Sequence, residues 1–180
     1  EFRKRLGINV LAVSKSGELH RDLLHDIILE GGDLLLIQGP IDRIDILESE
    51  KQITKTRKAD KEALTSVYHL DEVLFIMDVK DDAELFQRAV TESQIGSAFG
   101  LTAVGTFQQN KELEPYIPGT TIDSDDKLLV KGNIEDIPLI QGLKEIEILD
   151  EHPDELQNIE SEDIQIAEVV MAPRSLLSGK

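Results

Sequence analysis

The sequence predicts an α+β fold: small units of mainly antiparallel sheet with packed helices, present twice in tandem. Three observations predict it. Short β-branched apolar runs alternate with glycine- and acid-marked turns. The pattern recurs at a spacing of 93 residues, as from Gly7 to Gly100, Asp33 to Asp126 and Gly39 to Gly132. Finally, aromatic residues make up 4% of the chain and Trp is absent, so the core must be aliphatic.

Self-similarity at a fixed period is read before local structure, because a repeat fixes the architecture. Residues 6–48 align with 99–141 without a gap. Leu35 and Leu36 match Leu128 and Leu129, and Ile41 and Ile44 match Ile134 and Ile137. Ile8 to Val13 and Leu101 to Phe107 read as strands, since branched and apolar side chains suit a pleated surface. Lys15-Ser16-Gly17 and Gln109-Asn110-Lys111 are polar hairpin turns. Gly31-Gly32-Asp33 and Ser124-Asp125-Asp126 are tight turns, with Asp33 and Asp126 in structural roles. Leu34 to Gln38 and Lys127 to Lys131 are short buried strands. Gly39 and Gly132 are expected to permit a sharp exit into a helix, where a Cβ would obstruct it. In those helices Ile41, Ile44 and Leu47 share one face, as do Ile134, Ile137 and Ile140.

The second copy has a front half as well. Val73 to Met77 reads as a buried strand, followed by a helix capped by Asp82 with Leu85, Phe86, Ala89 and Val90 as its apolar stripe. Each complete unit therefore runs strand, helix, strand, strand, strand, helix. The tail begins the same pattern again: Ile164 to Met171 is strand-like, and residues 173–180 lead into a helix. Ser175 then lies 92 residues after Ala83. The expected organisation is residues 1–48 as the back half of a unit completed by 164–180, a linker at 49–71, a whole unit at 72–148, and an acidic linker at 149–163. The chain is a fragment of a longer array, a permuted order, or a unit completed by a neighbouring chain.

Charge narrows the function. The net charge is −17. Such a surface repels phosphate backbones and anionic lipid headgroups, which argues against nucleic-acid binding. The distribution is uneven: Lys51 to Lys61 holds five basic residues and one Asp, while Lys144 to Asp163 holds nine acids and one Lys. Both runs read as solvated linkers. With no Cys there are no disulfides and no cysteine metal sites. His20, His25, His69 and His152 lack metal-ligand spacing. No phosphate-binding loop, dinucleotide fingerprint or nucleophile elbow occurs, so no catalytic residue is assigned and the chain is not expected to be an enzyme. No run is long and apolar enough to span a bilayer.

The segment from Phe2 to Val13, the Gly32-Asp33-x-Leu35-Leu36-x-x-Gly39 motif with its repeat at Asp126 to Gly132, and the tail from Val169 to Lys180 together resemble the RCK C-terminal (TrkA-C) domain. The tail is typical of the copies inserted in sodium/sulfate- and dicarboxylate-type permeases. The resemblance implies a cytosolic regulatory domain of a membrane ion or anion transporter, at the cytoplasmic face of the membrane. Its partners would be a second copy, as a homodimer, and the transporter's transmembrane portion. Some relatives in potassium uptake systems and cation antiporters bind cyclic di-AMP. Phe2, Arg3 and Asn9 match contact positions for that ligand, with His20 near the place of a further one. The second copy has Ile95, Gly96 and Thr102 there, so a cyclic dinucleotide or other small regulatory ligand is expected on the head copy only. Arg174 and Ser175 precede the tail's expected helix, where an anion could rest on free amides, although a Ser there more often caps the helix. The competing reading is a purely structural dimerisation module with no small-molecule ligand.

Overall fold

The computed structural model describes residues 6–21, 24–79, 101–107, 113–116, 126–136, 138–139, 146–150 and 159–179. The chain divides into two compact units, Glu1–Tyr68 with Glu160–Lys180, and His69–Ile159. Each is built on a five-stranded antiparallel sheet, and the fold is α+β.

In the first unit the strands are β1 (Asn9–Lys15), β2 (Glu18–His20), β3 (Leu34–Pro40), β4 (Ile53–Lys58) and β10 (Ile164–Met171). Their order is β2-β1-β3-β10-β4, so the tail strand lies between two strands of the head. Ser16 and Gly17, both with positive φ, close the β1–β2 hairpin between Lys15 and Glu18. Two positive φ values in a two-residue loop give the turn whose twist matches the strands. Helix α1 (Ile41–Ser49) follows β3, and α2 (Lys61–Ser66) follows β4. Proline at the N-cap of α1 supplies no side-chain cap; instead the Ile41 amide donates to the Asp163 carbonyl at 2.9 Å. A nine-residue helix is marginal alone, so packing must hold it. Ile44 and Leu47 are buried among Ile8, Val13, Leu35, Ile37, Val169 and Met171. Burying two such side chains contributes about 3–6 kcal/mol. At the other end of α1, Lys51 takes a left-handed φ, and the Gln52 amide returns to the Leu47 carbonyl at 2.9 Å, which closes the helix.

The second unit has β5 (Leu74–Val79), β6 (Thr102–Phe107), β7 (Glu114–Pro115), β8 (Lys127–Lys131) and β9 (Ile146–Asp150), ordered β7-β6-β8-β5-β9. Strand for strand this is the order of the first sheet. The registers of the β1–β3 and β6–β8 ladders agree. The β1–β3 ladder shifts between Val10 and Ala12, and the β6–β8 ladder between Ala103 and Gly105. The bulged residues, Leu11 and Val104, are 93 apart. Ile37 pairs with Ala167 and Val130 with Phe75, so β10 occupies the place of β5. The two sheets differ in chain order, β5 coming before its sheet partners and β10 after them, and in the place of the edge bulge, which falls at Thr54 in one and at Leu149 in the other.

Several expectations change. Residues 53–58, read as linker, form β4 on β10, and residues 146–150, read as the end of a unit and the start of a linker, form β9 on β5. Both are edge strands, for which one ladder of backbone bonds suffices and few apolar residues are needed. Gly39 and Gly132 do not take a positive φ. Their role is close approach: an added Cβ would lie 2.8 Å from Ile8 Cγ1 at Gly39 and 2.5 Å from Leu101 Cδ2 at Gly132. Ile8 and Leu101 are themselves matched residues. Residues 173–179 form turns, and Ile134–Asp136 forms a 3-10 turn. The helix from Asp82, the hairpin at Gln109 to Lys111, and Ile137 and Ile140 lie outside the described residues.

Candidate binding site

Opposed residues of paired strands share a face. In the first unit Leu35, Ile37, Ala167 and Val169 belong to the apolar core. The opposite face carries Asn9, Leu36, Gln38, Ile166, Glu168 and Arg57, as the pairs Asn9–Gln38, Ile166–Gln38, Glu168–Leu36 and Glu168–Arg57 require. This second face is polar although most of it is buried: Asn9 is 2% exposed, Gln38 1% and Glu168 6%.

Each buried polar group needs a partner, since desolvation without one is costly. Asn9 Nδ2 donates to Gln38 Oε1 at 2.9 Å. Arg57 Nε donates to Glu168 Oε2 at 2.7 Å, and its Nη2 donates to the same oxygen. Tyr68, just past α2, also bonds to Glu168; burial, then the Glu168 charge, then that hydrogen bond push the phenol up to about 12. The hydrogen bond to Glu168 and its charge likewise hold the Arg57 guanidinium above its ordinary value. Beside this group, Lys58 Nζ stands 3.5 Å from Glu160 Oε2, and Glu160 Oε1 accepts the Ile166 amide at 2.8 Å. The arrangement combines a recessed carboxylate, a phenol that stays protonated, and a guanidinium that remains largely in solvent. It can present hydrogen-bond donors and a cation to a ligand at the sheet edge.

The second sheet lacks this chemistry at its matched positions. Thr102 and Lys131 stand for Asn9 and Gln38, and Ile76 stands for Glu168.

The residues expected at a ligand site are dispersed. Phe2 and Arg3 lie outside the described residues. Asn9 is at the start of β1, and His20 on β2 faces Val13, four residues along the strand and so about 13 Å away. Ser175 lies beyond the far end of β10, where the Met171 amide bonds the Asp33 carbonyl at 2.9 Å. There the Ser175 hydroxyl and the Leu176 amide both donate to Gln52 Oε1, at 3.1 and 2.8 Å, and the Leu177 amide donates to Ser175 Oγ at 3.2 Å. Those amides are engaged within the chain, and Arg174 is exposed beside them. Asp33 Oδ2 accepts the Glu30 amide at 2.8 Å and locks its own turn. Among the described residues no three His, Asp or Glu side chains converge as metal ligands, and no helix is long and apolar enough to cross a membrane.

Gln38, Arg57, Tyr68 and Glu168 were not singled out by sequence. One signal was available: Glu168 is the single charge in the run Ile164 to Met171, and a charge on a buried strand requires a partner. Comparison of the chain with profiles of known protein families, with curated proteins and with solved structures finds no match in any of the three.

Proposed function

We propose that the chain is a regulatory module of a membrane ion or anion transporter, of the RCK C-terminal type, in which the first unit responds to a small ligand and the second serves as its structural counterpart. The observation that carries this reading is the asymmetry between two sheets of one strand order. The first has a connected polar group on its second face, Arg57, Glu168 and Tyr68 beside the Asn9–Gln38 pair; the second has Ile76 where the first has Glu168. A duplicated scaffold that keeps its architecture while the Arg57–Glu168–Tyr68 group is found, among the described residues, in the first copy alone suits a module with one responsive half. The Gly32 to Gly39 motif and the head segment containing Arg3 and Asn9 support the family reading.

The test is a melting-curve screen of the whole chain against cyclic di-AMP, other nucleotides and divalent cations. A ligand that binds the folded form raises stability by RT ln(1 + [L]/Kd), so the midpoint should climb with concentration. Arg3→Ala and Asn9→Ala should remove the shift. If no compound moves the midpoint, the ligand-sensing reading fails and the structural dimerisation module takes its place.

A further inference from the structure

The two sheets end on matched edge strands of opposite charge, and the geometry points to a head-to-tail joint in which β4 of one chain pairs with β9 of a second copy. Strand β4 is the outer strand of the first sheet and β9 the outer strand of the second. They occupy one position in the repeat: Ile53 and Ile146 are 93 residues apart, as are Arg57 and Asp150. Arg57 pairs in register with Glu168, and Asp150 with Ile76, which holds the same place in its own sheet. From this common origin the edges have diverged in charge. Lys51, Lys55, Arg57, Lys58 and Lys61 cluster on and around β4; Glu147 and Asp150 lie on β9. Arg57 and Lys58 hold Glu168 and Glu160, yet each side chain remains 64% exposed.

An edge strand has unused backbone donors and acceptors. The Ala59 amide bonds to the Ile166 carbonyl at 2.9 Å. Because bonded and non-bonded residues alternate along an antiparallel ladder, the amides of Thr56 and Lys58 then point away from β10. On β9, Glu147 is exposed and Leu149 is 43% exposed. Like charges directly opposed across strands are unfavourable, whereas opposite charges are favourable. Pairing β4 with β4 sets Lys and Arg against each other, and pairing β9 with β9 sets Glu and Asp together. Pairing β4 with β9 matches the charges, and the strands are of similar length. An association of this type is heterologous, and it closes into a ring only if the rotation between chains permits. The joint stands apart from the transporter reading, since it rests on the sheet edges and requires no ligand.

The test is self-association of the whole chain by sedimentation at low and high salt. The wild-type chain should associate, more weakly as salt rises. Lys51→Glu with Lys55→Glu, and separately Glu147→Lys, should each weaken association about tenfold or more, and the three substitutions together should restore it. A second measurement does not need charge reversal. The chain has no Cys, so Thr56→Cys and Leu149→Cys chains, oxidised as a mixture, should form the mixed disulfide in preference to either homodimer. A monomer at all concentrations, unchanged association in both charge variants, or a preference for like-with-like disulfides would overturn the joint. Binding of an acidic peptide to β4 without self-association would assign the edge to another partner and overturn it too.

Discussion

Arg57 and Glu168 meet across the β4–β10 pair although 111 residues separate them in the chain. The carboxylate side chain is 7% exposed and the guanidinium 64%. Breaking such a pair from the exposed side strands a charge in the interior, while replacing the buried charge by a well-packed apolar group is often neutral or stabilising. Arg57→Ala should therefore lower the urea midpoint of the first unit. Glu168→Ile, which introduces the residue type found at the matched position Ile76, should leave the midpoint equal or higher. The double variant should behave like Glu168→Ile. If Glu168→Ile proves the more damaging single change, the carboxylate is a net source of stability and the argument from the second sheet fails.

Tyr68 adds an alkaline signature. Its phenol rises from 10.0 to about 12 in the folded chain, with burial the largest cause and Glu168 the next. A group whose pKa is raised by folding keeps its proton longer in the native state. Stability is therefore unaffected by Tyr68 below pH 10 and falls as pH climbs from 10 toward 12. Tyr68→Phe should flatten that decline. The chain has two Tyr and no Trp, so tyrosinate absorbance is readable, and an ionisation near pH 12 should vanish in the variant. A late ionisation that persists would assign it to Tyr116.

The repeat was legible in the sequence because its apolar positions answer to packing. Leu35 and Ile37 face one core, and their matches Leu128 and Val130 keep register even through the bulges at Leu11 and Val104. The placement of Ile164 to Met171 as a strand was legible for the same reason. Strand β4 was not. Its residues, Ile-Thr-Lys-Thr-Arg-Lys, read as a charged linker because an edge strand is specified by its neighbour's backbone more than by its own side chains. The polar face was hidden for a different reason. Asn9 and Gln38 are 29 residues apart and Arg57 and Glu168 are 111 apart, and such pairings follow from strand order. In the first unit β10 follows its sheet partners in the chain, so local spacing carried no trace of the Arg57–Glu168 pair.

Thr106 tests the equivalence of the two cores. It pairs with Leu128, as Val13 pairs with Leu35, and the two residues are 93 apart. Thr106 is 2% exposed, and its Oγ1 is buried with no hydrogen-bond partner among the described residues. A buried hydroxyl left unbonded costs about 1–3 kcal/mol. Thr106→Val removes that cost with little change of shape and should stabilise the second unit by about 1 kcal/mol. The reciprocal Val13→Thr should destabilise the first unit by a similar amount or more. Equilibrium denaturation of the two variants checks both signs, and a loss of stability in Thr106→Val would show that the hydroxyl has a partner in solution.

Gly31 is where the head turn rests on the tail. A Cβ placed there would lie 2.4 Å from Pro173 Cα and 3.2 Å from the Ala172 carbonyl oxygen. Neither backbone is free to retreat, because the Gly32 amide bonds the Met171 carbonyl and the Met171 amide bonds the Asp33 carbonyl, both at 2.9 Å. Gly31→Ala should therefore destabilise the first unit by about 1–3 kcal/mol, the ordinary range for forced overpacking. Pro173→Ala should not rescue it, since the clash is with a backbone atom that every residue shares. Gly32→Ala fails for a different reason: nothing lies near its Cβ position, but its φ of +100° is one that L-residues rarely adopt. Asn tolerates positive φ better than Ala, so Asn at 32 should recover part of the loss, while Asn at 31 should be worse than Ala. Thermal melts of the four single variants and of Gly31→Ala with Pro173→Ala separate the two mechanisms. Partial recovery by Asn at position 31 would mean that the turn yields and that head and tail are not held as closely as the 2.4 Å approach requires.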